Sequence, residues 1–311
     1  MLVIFESVLP IFLLVLLGAL LKRWPLINDS LWDGLEQFGF YVLFPALLFE
    51  TLAKADFAAM DTGDVSASAL AAVGIMSALV LALWRPLNRF GIEGPAFTSI
   101  FQTATRWNGF MALAIAEKLS GPVGLTVVAV VMAVIIIPLN VINVAVMIWF
   151  SGNGRSLRDF ALKIVSNPII LGSAFGVLVN LFRIPVYEPV MTAVELVANS
   201  SLGLGLIMVG AGLRVMDALR PQPNVLLGSA LKLLVFPLVM AGTALFFGVE
   251  GEALVMLILS AAVPTAMNGY ILAKQMGGDA PLYAATATVQ TVAAVFTIPL
   301  VLYFASQLAA G

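Results

Sequence analysis

Ten apolar runs of about 20 residues fill almost the whole chain, near 3–21, 35–52, 66–84, 96–116, 123–150, 160–181, 190–212, 225–247, 253–273 and 281–307. A helix of about 20 such residues crosses roughly 30 Å of hydrocarbon. In lipid a bare loop or an open strand edge leaves backbone donors and acceptors unpaired, so every run is expected to be helical. With 61% hydrophobic and 10% charged residues, a soluble fold would be covered in apolar surface. The expected fold class is an all-α polytopic membrane protein. The first run, with an uncharged start at Met1 to Phe5 and no small-residue cleavage site, is expected to be kept as a span.

Basic residues concentrate in alternate loops. Lys22, Arg23, Arg85, Arg89, Arg155, Arg158, Lys163, Arg214, Arg220 and Lys274 fall on one side, and only Lys54, Lys118 and Arg183 on the other. The richer side faces the cytoplasm, so both termini are expected outside. Short loops and the lack of a targeting peptide favour a bacterial inner membrane.

The chain repeats itself. Asn108-Gly109-Phe110 is followed by Ile137-Pro138-Leu139, and Asn268-Gly269-Tyr270 by Ile298-Pro299-Leu300. The register extends to Pro10-Ile11 with Gly18 against Pro168-Ile169 with Gly176, and to Arg23-x-Pro25 against Arg183-x-Pro185. It thins to Ser68-Ala69-Leu70 against Ser229-Ala230-Leu231, and the second helix of each half shows no match. Residues 1–150 and 159–311 are thus expected to be two five-helix units. An odd number of spans makes the second copy enter from the opposite side, giving the inverted repeat found in many secondary transporters.

Each Asn-Gly pair sits in the fourth span of its half. Gly lowers helix propensity by about 1 kcal/mol relative to Ala and Asn competes for backbone hydrogen bonds, so a break is expected at Gly109 and at Gly269. Pro264 removes a further donor before Asn268. Facing breaks would bring two positive half-helix ends and the amides of Asn108 and Asn268 to one spot, which suits a carboxylate. The competing reading is that Asn-Gly kinks closely packed helices and the amides bond neighbouring spans.

Charges inside spans are few. Arg106, two residues before Asn108, is either an anion contact or an ion-pair partner for a carboxylate such as Glu195. Glu195 and Lys232 either carry a coupling proton or snorkel to the outer and inner surfaces respectively. Phe44-Pro45 marks a mid-span kink that lines a cavity or merely packs, and Asn140, Asn143 and Gln290 either shape that cavity or bond neighbouring helices.

Some chemistries are excluded. The chain has no His and no Cys, which rules out His-assisted nucleophiles, thiolate metal sites and disulfides. No Asp lies inside a span, which counts against intramembrane aspartyl cleavage and against a cation antiporter built on paired Asp; Asp61-x-x-Asp64 is single and on the outer side. No basic stripe points to nucleic acid. No cofactor or metal is expected.

Leu43-Phe44-Pro45-Ala46-Leu47, Arg106-x-Asn108-Gly109-Phe110, Asn167-Pro168 and Pro264-Thr265-x-x-Asn268 together resemble the auxin efflux carrier family over essentially the whole chain. The resemblance implies a fold like that of bile acid sodium symporters: five plus five inverted helices, a scaffold domain from helices 1, 2, 6 and 7 (about 3–52 and 160–212) and a transport domain from helices 3–5 and 8–10 (about 66–150 and 225–307). It implies crossing broken helices 4 and 9, elevator-like movement, homodimers through the scaffold, and substrate contacts at Asn108 and Asn268. Gly109, Gly269, Arg106, Thr265, Phe44 and Pro45 complete the expected substrate site. Two departures matter. Helix 4 has no proline between Pro95 and Pro122, so its break is expected to be the weaker one, and the central loop, about 151–158, is short, which makes a small carboxylate a safer expectation than auxin. A sodium- or proton-coupled cation transporter of the same fold is the alternative, and a membrane enzyme a remote one.

Overall fold

The computed structural model describes residues 2–55, 62–151, 166, 168–214, 216, 222–267 and 269–310. Among them every regular element is helical. In chain order these are α1 (Leu2–Leu21), α2 (Asp29–Phe38), α3 (Phe44–Ala53), α4 (Thr62–Ala82), α5 (Trp84–Arg89), α6 (Gly94–Thr105) and α7 (Gly109–Ser151). There follow α8 (Pro168–Leu181), α9 (Glu188–Ala211), α10 (Pro223–Ala230), α11 (Phe236–Phe246), α12 (Gly251–Ala262), α13 (Gly269–Met276) and α14 (Ala280–Ala310).

Seven helical stretches among the described residues are long and apolar enough to cross a membrane, and α8 and α12 are shorter apolar helices. One of the seven, Gly94–Phe150, runs for 57 residues, far beyond the roughly 20 that a crossing needs. It is broken between α6 and α7, and again at Gly121, whose φ of 54° no helix accommodates.

Two π-turns absorb prolines. Gly39–Leu43 joins α2 to α3 and Leu231–Val235 joins α10 to α11, directly before Phe44-Pro45 and Phe236-Pro237. Pro has no N–H to donate, and the wider turn re-registers the ladder, with Phe44 N–H bonding Gly39 O and Phe236 N–H bonding Leu231 O.

One repeat is seen best in three dimensions. Gly91-Ile92-Glu93-Gly94 opens α6 and Gly248-Val249-Glu250-Gly251 opens α12 with the same hydrogen bonds. Ile92 and Val249 N–H reach back to Leu87 O and Ala244 O, and Phe97 and Leu254 N–H bond Glu93 O and Glu250 O. The left-handed glycines, φ 86° at Gly91 and 74° at Gly248, permit both turns. Each helix that follows is 12 residues long and ends on an extended residue, Arg106 (ψ 161°) or Val263 (ψ 149°).

Packing separates the helices into two groups. α1 lies along α9, and α3 packs against both α8 and α9. Gly18 and Gly210 let the α1 and α9 backbones touch: a Cβ on either would run into the carbonyl of Ile207 or Val15. Asn180 fastens α8 to the end of α3 by donating to Leu52 O, Ala53 O and Ala55 O at 3.1, 3.0 and 2.6 Å. The remaining long helices pack on one another, α4 on α11 and α7, and α12 on α7, α11 and α14. α1, α3, α8 and α9 meet this second group principally through α7 and α14.

Candidate functional site

The two interruptions meet. α6 stops at Thr105 and α7 starts at Gly109, leaving Arg106-Trp107-Asn108 outside either helix, with Arg106 extended. α12 stops at Ala262 and α13 starts at Gly269. Between them, Asn108 N–H donates to Pro264 O at 2.8 Å, so each break supplies a group that the other lacks. The first break is complete without a proline.

Asn108 is 3% exposed. Its Oδ1 accepts Met111 N–H at 3.2 Å, which makes it the N-cap of α7. One lone pair of that oxygen is thereby engaged in starting the helix, and the amide N–H groups are the donors the side chain can offer a ligand. Asn268 lies outside the described residues. At the start of α13, Gly269 and Tyr270 N–H bond Ala266 O and Met267 O at 3.4 and 3.1 Å, so these two amides are already engaged. A tight turn ahead of Gly269 satisfies them first.

Gly109 and Gly269 are confined differently. A Cβ at Gly109 would sit 3.2 Å from Met132 Cε and 3.4 Å from Phe44 Cζ, both ends of side chains. At Gly269 it would collide with the phenol of Tyr283, which is fully buried and donates to Ala266 O at 2.5 Å.

Arg106 is partly buried beside the first break. Its Nη2 donates to Asn140 Oδ1 at 3.3 Å, while Nη1 has no hydrogen-bond partner among the described residues. Glu195 is not its partner. That carboxylate pairs with Lys54 at 2.6 Å, and Glu50 pairs with the same amine at 2.8 Å, outside the crossover. Burial alone would lower the Lys54 amine, yet its hydrogen bonds to Glu195 and Glu50 outweigh this and hold it above the ordinary lysine value. Lys232 does not snorkel: it is fully buried.

Thr265 is committed to structure, its N–H bonding Gln290 Oε1 at 2.9 Å and its hydroxyl lying 3.0 Å from the Tyr283 hydroxyl. Gln290 also donates Nε2 to Thr103 O and Gly228 O, both at 3.1 Å. It thereby ties the second break to the end of α6 and to α10. Phe44 stacks on Phe110 with centroids 3.6 Å apart and closes one wall of the site. At Pro45 it is the backbone that matters for packing: its carbonyl and Cα lie against Gly172 of α8, where a Cβ would collide with them. Tyr270, the repeat mate of Phe110, lies under the Arg214 guanidinium at 4.1 Å.

Gln290 and Asn140 were legible only as stray polar residues in spans 10 and 5, and Tyr283 carried no signal. The repeated Gly-x-Glu-Gly turns would have fixed where both broken helices begin.

A buried crossing of two interrupted helices, in a chain with seven membrane-length apolar stretches among its described residues, defines a multi-pass membrane protein of the transporter class. The profile of the family described as membrane transport protein matches residues 3–157 and 154–302, and the chain belongs to this family, the auxin efflux carriers. It is also similar to an uncharacterized transporter of Methanothermobacter thermautotrophicus, at 23% identity over 296 residues, covering 95% of this chain and 96% of that one.

Proposed function

We propose that this chain is a secondary transporter of small organic anions, carboxylates above all, with the crossover as its single central site. The observation that carries this reading is the hydrogen bond joining the two breaks, 2.8 Å from Asn108 N–H to Pro264 O, together with Arg106 Nη1, which has no hydrogen-bond partner among the described residues. Arg106 caps the C-terminal end of α6, whose partial negative charge offsets part of the guanidinium. The remaining positive charge and the Asn108 amide suit a carboxylate, and the apolar wall of Phe44 and Phe110 suits its carbon skeleton. No covalent chemistry is required of the protein.

The architecture behind this reading is ten spans in two inverted sets of five, with Gly94–Phe150 counted as two crossings. The tight α1, α3, α8 and α9 group is the scaffold, and the other helices move past it in an elevator-like way while carrying the anion. The apolar Phe44–Phe110 stack, which joins α3 to α7, is a contact that can slide. The protein works in a bacterial inner membrane with both termini outside, as a homodimer through the scaffold. The only span carboxylate weighed for coupling, Glu195, is held by Lys54 away from the crossover, which favours an anion carrier over a cation carrier of the same fold.

The test is uptake of labelled mono- and dicarboxylates into proteoliposomes, with and without proton and sodium gradients, comparing wild type with Asn108→Ala and Asn268→Ala. Both variants are expected to lose uptake. Wild-type rates in both would overturn the site.

A further inference from the structure

The π-turn Leu231–Val235 buries a lysine without an acceptor. Lys232 is 0% exposed, and its Nζ has no hydrogen-bond partner among the described residues. It lies 4.4 Å from the centroid of the Phe236 ring, whose face attracts a cation but takes no proton from it.

The helices packed against this turn are α6, α10, α11, α12 and α14. Their ionisable side chains are Glu252, exposed in the first turn of α12, and Tyr283 and Tyr303 on α14, with Arg106 capping α6. The Tyr283 hydroxyl is committed to Thr265 and Ala266. No buried carboxylate on these elements compensates an ammonium. A lone charge so placed in a span costs far more than a neutral amine.

The lysine is also joined to the crossover. One turn before it, Gly228 O accepts from Gln290 Nε2, and Gln290 Oε1 holds Thr265 N–H in the second break. The π-turn loosens the ladder here, and π-turns recur at functional positions.

We propose that Lys232 is the proton-binding residue of the transport cycle, charged while the anion is bound and neutral on the empty return. This rests on the carboxylate reading and adds the coupling ion to it. When an anion arrives at the crossover, the amine lone pair takes a proton from water on the same side and forms a fourth bond to nitrogen. When the anion leaves on the other side, that N–H bond breaks, the proton returns to water and the lone pair is restored. Nothing is oxidised or reduced.

The experiment uses purified protein in vesicles loaded with a pH-sensitive dye, with labelled succinate and lactate as probes. Wild type is expected to acidify the vesicles as label enters. Lys232→Met, close in shape to lysine, is expected to lose the acidification yet still exchange label for label. Lys232→Gln replaces it should the Met variant fail to fold. Lys232→Arg, which cannot shed its proton, is expected to exchange label but accumulate none. Acidification by the Met or Gln variant at the wild-type proton-to-label ratio overturns the proposal, as does net uptake by the Arg variant. Should wild type move neither probe, the carboxylate reading fails for both. The lysine is then decided by titrating the detergent-solubilised protein between about pH 5 and 9, a range that buried amines reach. A proton step present in wild type and absent from Lys232→Met supports it, and superimposable curves refute it.

Discussion

Replacing Gln290 by leucine removes a side chain that joins α6, α10 and the second break. Three hydrogen bonds disappear, to Thr265 N–H at 2.9 Å and to Thr103 O and Gly228 O at 3.1 Å. At about 1 kcal/mol each they contribute about 3 kcal/mol, and the orphaned Thr265 N–H adds a further cost of about 1–3 kcal/mol. The leucine regains about 1–2 kcal/mol of apolar burial. The net loss is about 3 kcal/mol. At the lower end of the roughly 2–4 °C per kcal/mol seen in large domains, thermal unfolding in detergent should fall by about 6 °C. The control is Gln102→Leu. Gln102 is equally buried, at 0% exposure, but both of its amide atoms lack partners among the described residues. Replacing an unsatisfied polar group by an apolar one of similar size is close to neutral or stabilising. Nanoscale fluorimetry on both variants checks the difference. Equal Tm shifts for Gln290→Leu and Gln102→Leu would refute the reasoning, because burial alone would then decide the outcome.

Other expectations are simpler to state. Gly269→Ala should cost about 1–3 kcal/mol, since its Cβ meets the buried Tyr283 ring, whereas Gly109→Ala should cost less because Met132 and Phe44 can yield; paired unfolding curves compare them. Asn108→Ser keeps a capping oxygen and loses the amide, so it should retain the about 1 kcal/mol that Asn108→Ala forfeits, yet transport as poorly as that variant. Uptake by Asn108→Ser at the wild-type rate would reduce Asn108 to a cap. Glu195→Gln should change stability by no more than about 1 kcal/mol and leave uptake intact, since the ion pair is partly exposed. The Lys54 amine lies above 10.5, so its contribution is complete below that pH and is lost only as the pH climbs through the raised value. The difference between Glu195→Gln and wild type should therefore be flat from about pH 6 to 9.

Seven helical stretches of membrane length among the described residues were legible as apolar runs because hydrocarbon enforces them locally: a run of about 20 apolar residues needs no knowledge of its neighbours. The helix breaks were legible for a similar reason, since Gly and Pro act on their own backbone, and α7 and α13 begin at Gly109 and Gly269. Composition excluded thiol and histidine chemistry outright. What each polar side chain does depended on partners far away in sequence. Glu195 went to Lys54 and not to Arg106, and the Asn108 side-chain oxygen accepts from Met111 N–H. Lys232, which sequence position allowed to reach the inner surface, is instead fully buried with its amine over the Phe236 ring. Local rules fix where a helix lies and where it stops, because the backbone and the bilayer act residue by residue. A hydrogen bond between residues 187 apart, such as Gln290 to Thr103, exists only once packing has brought both to one place.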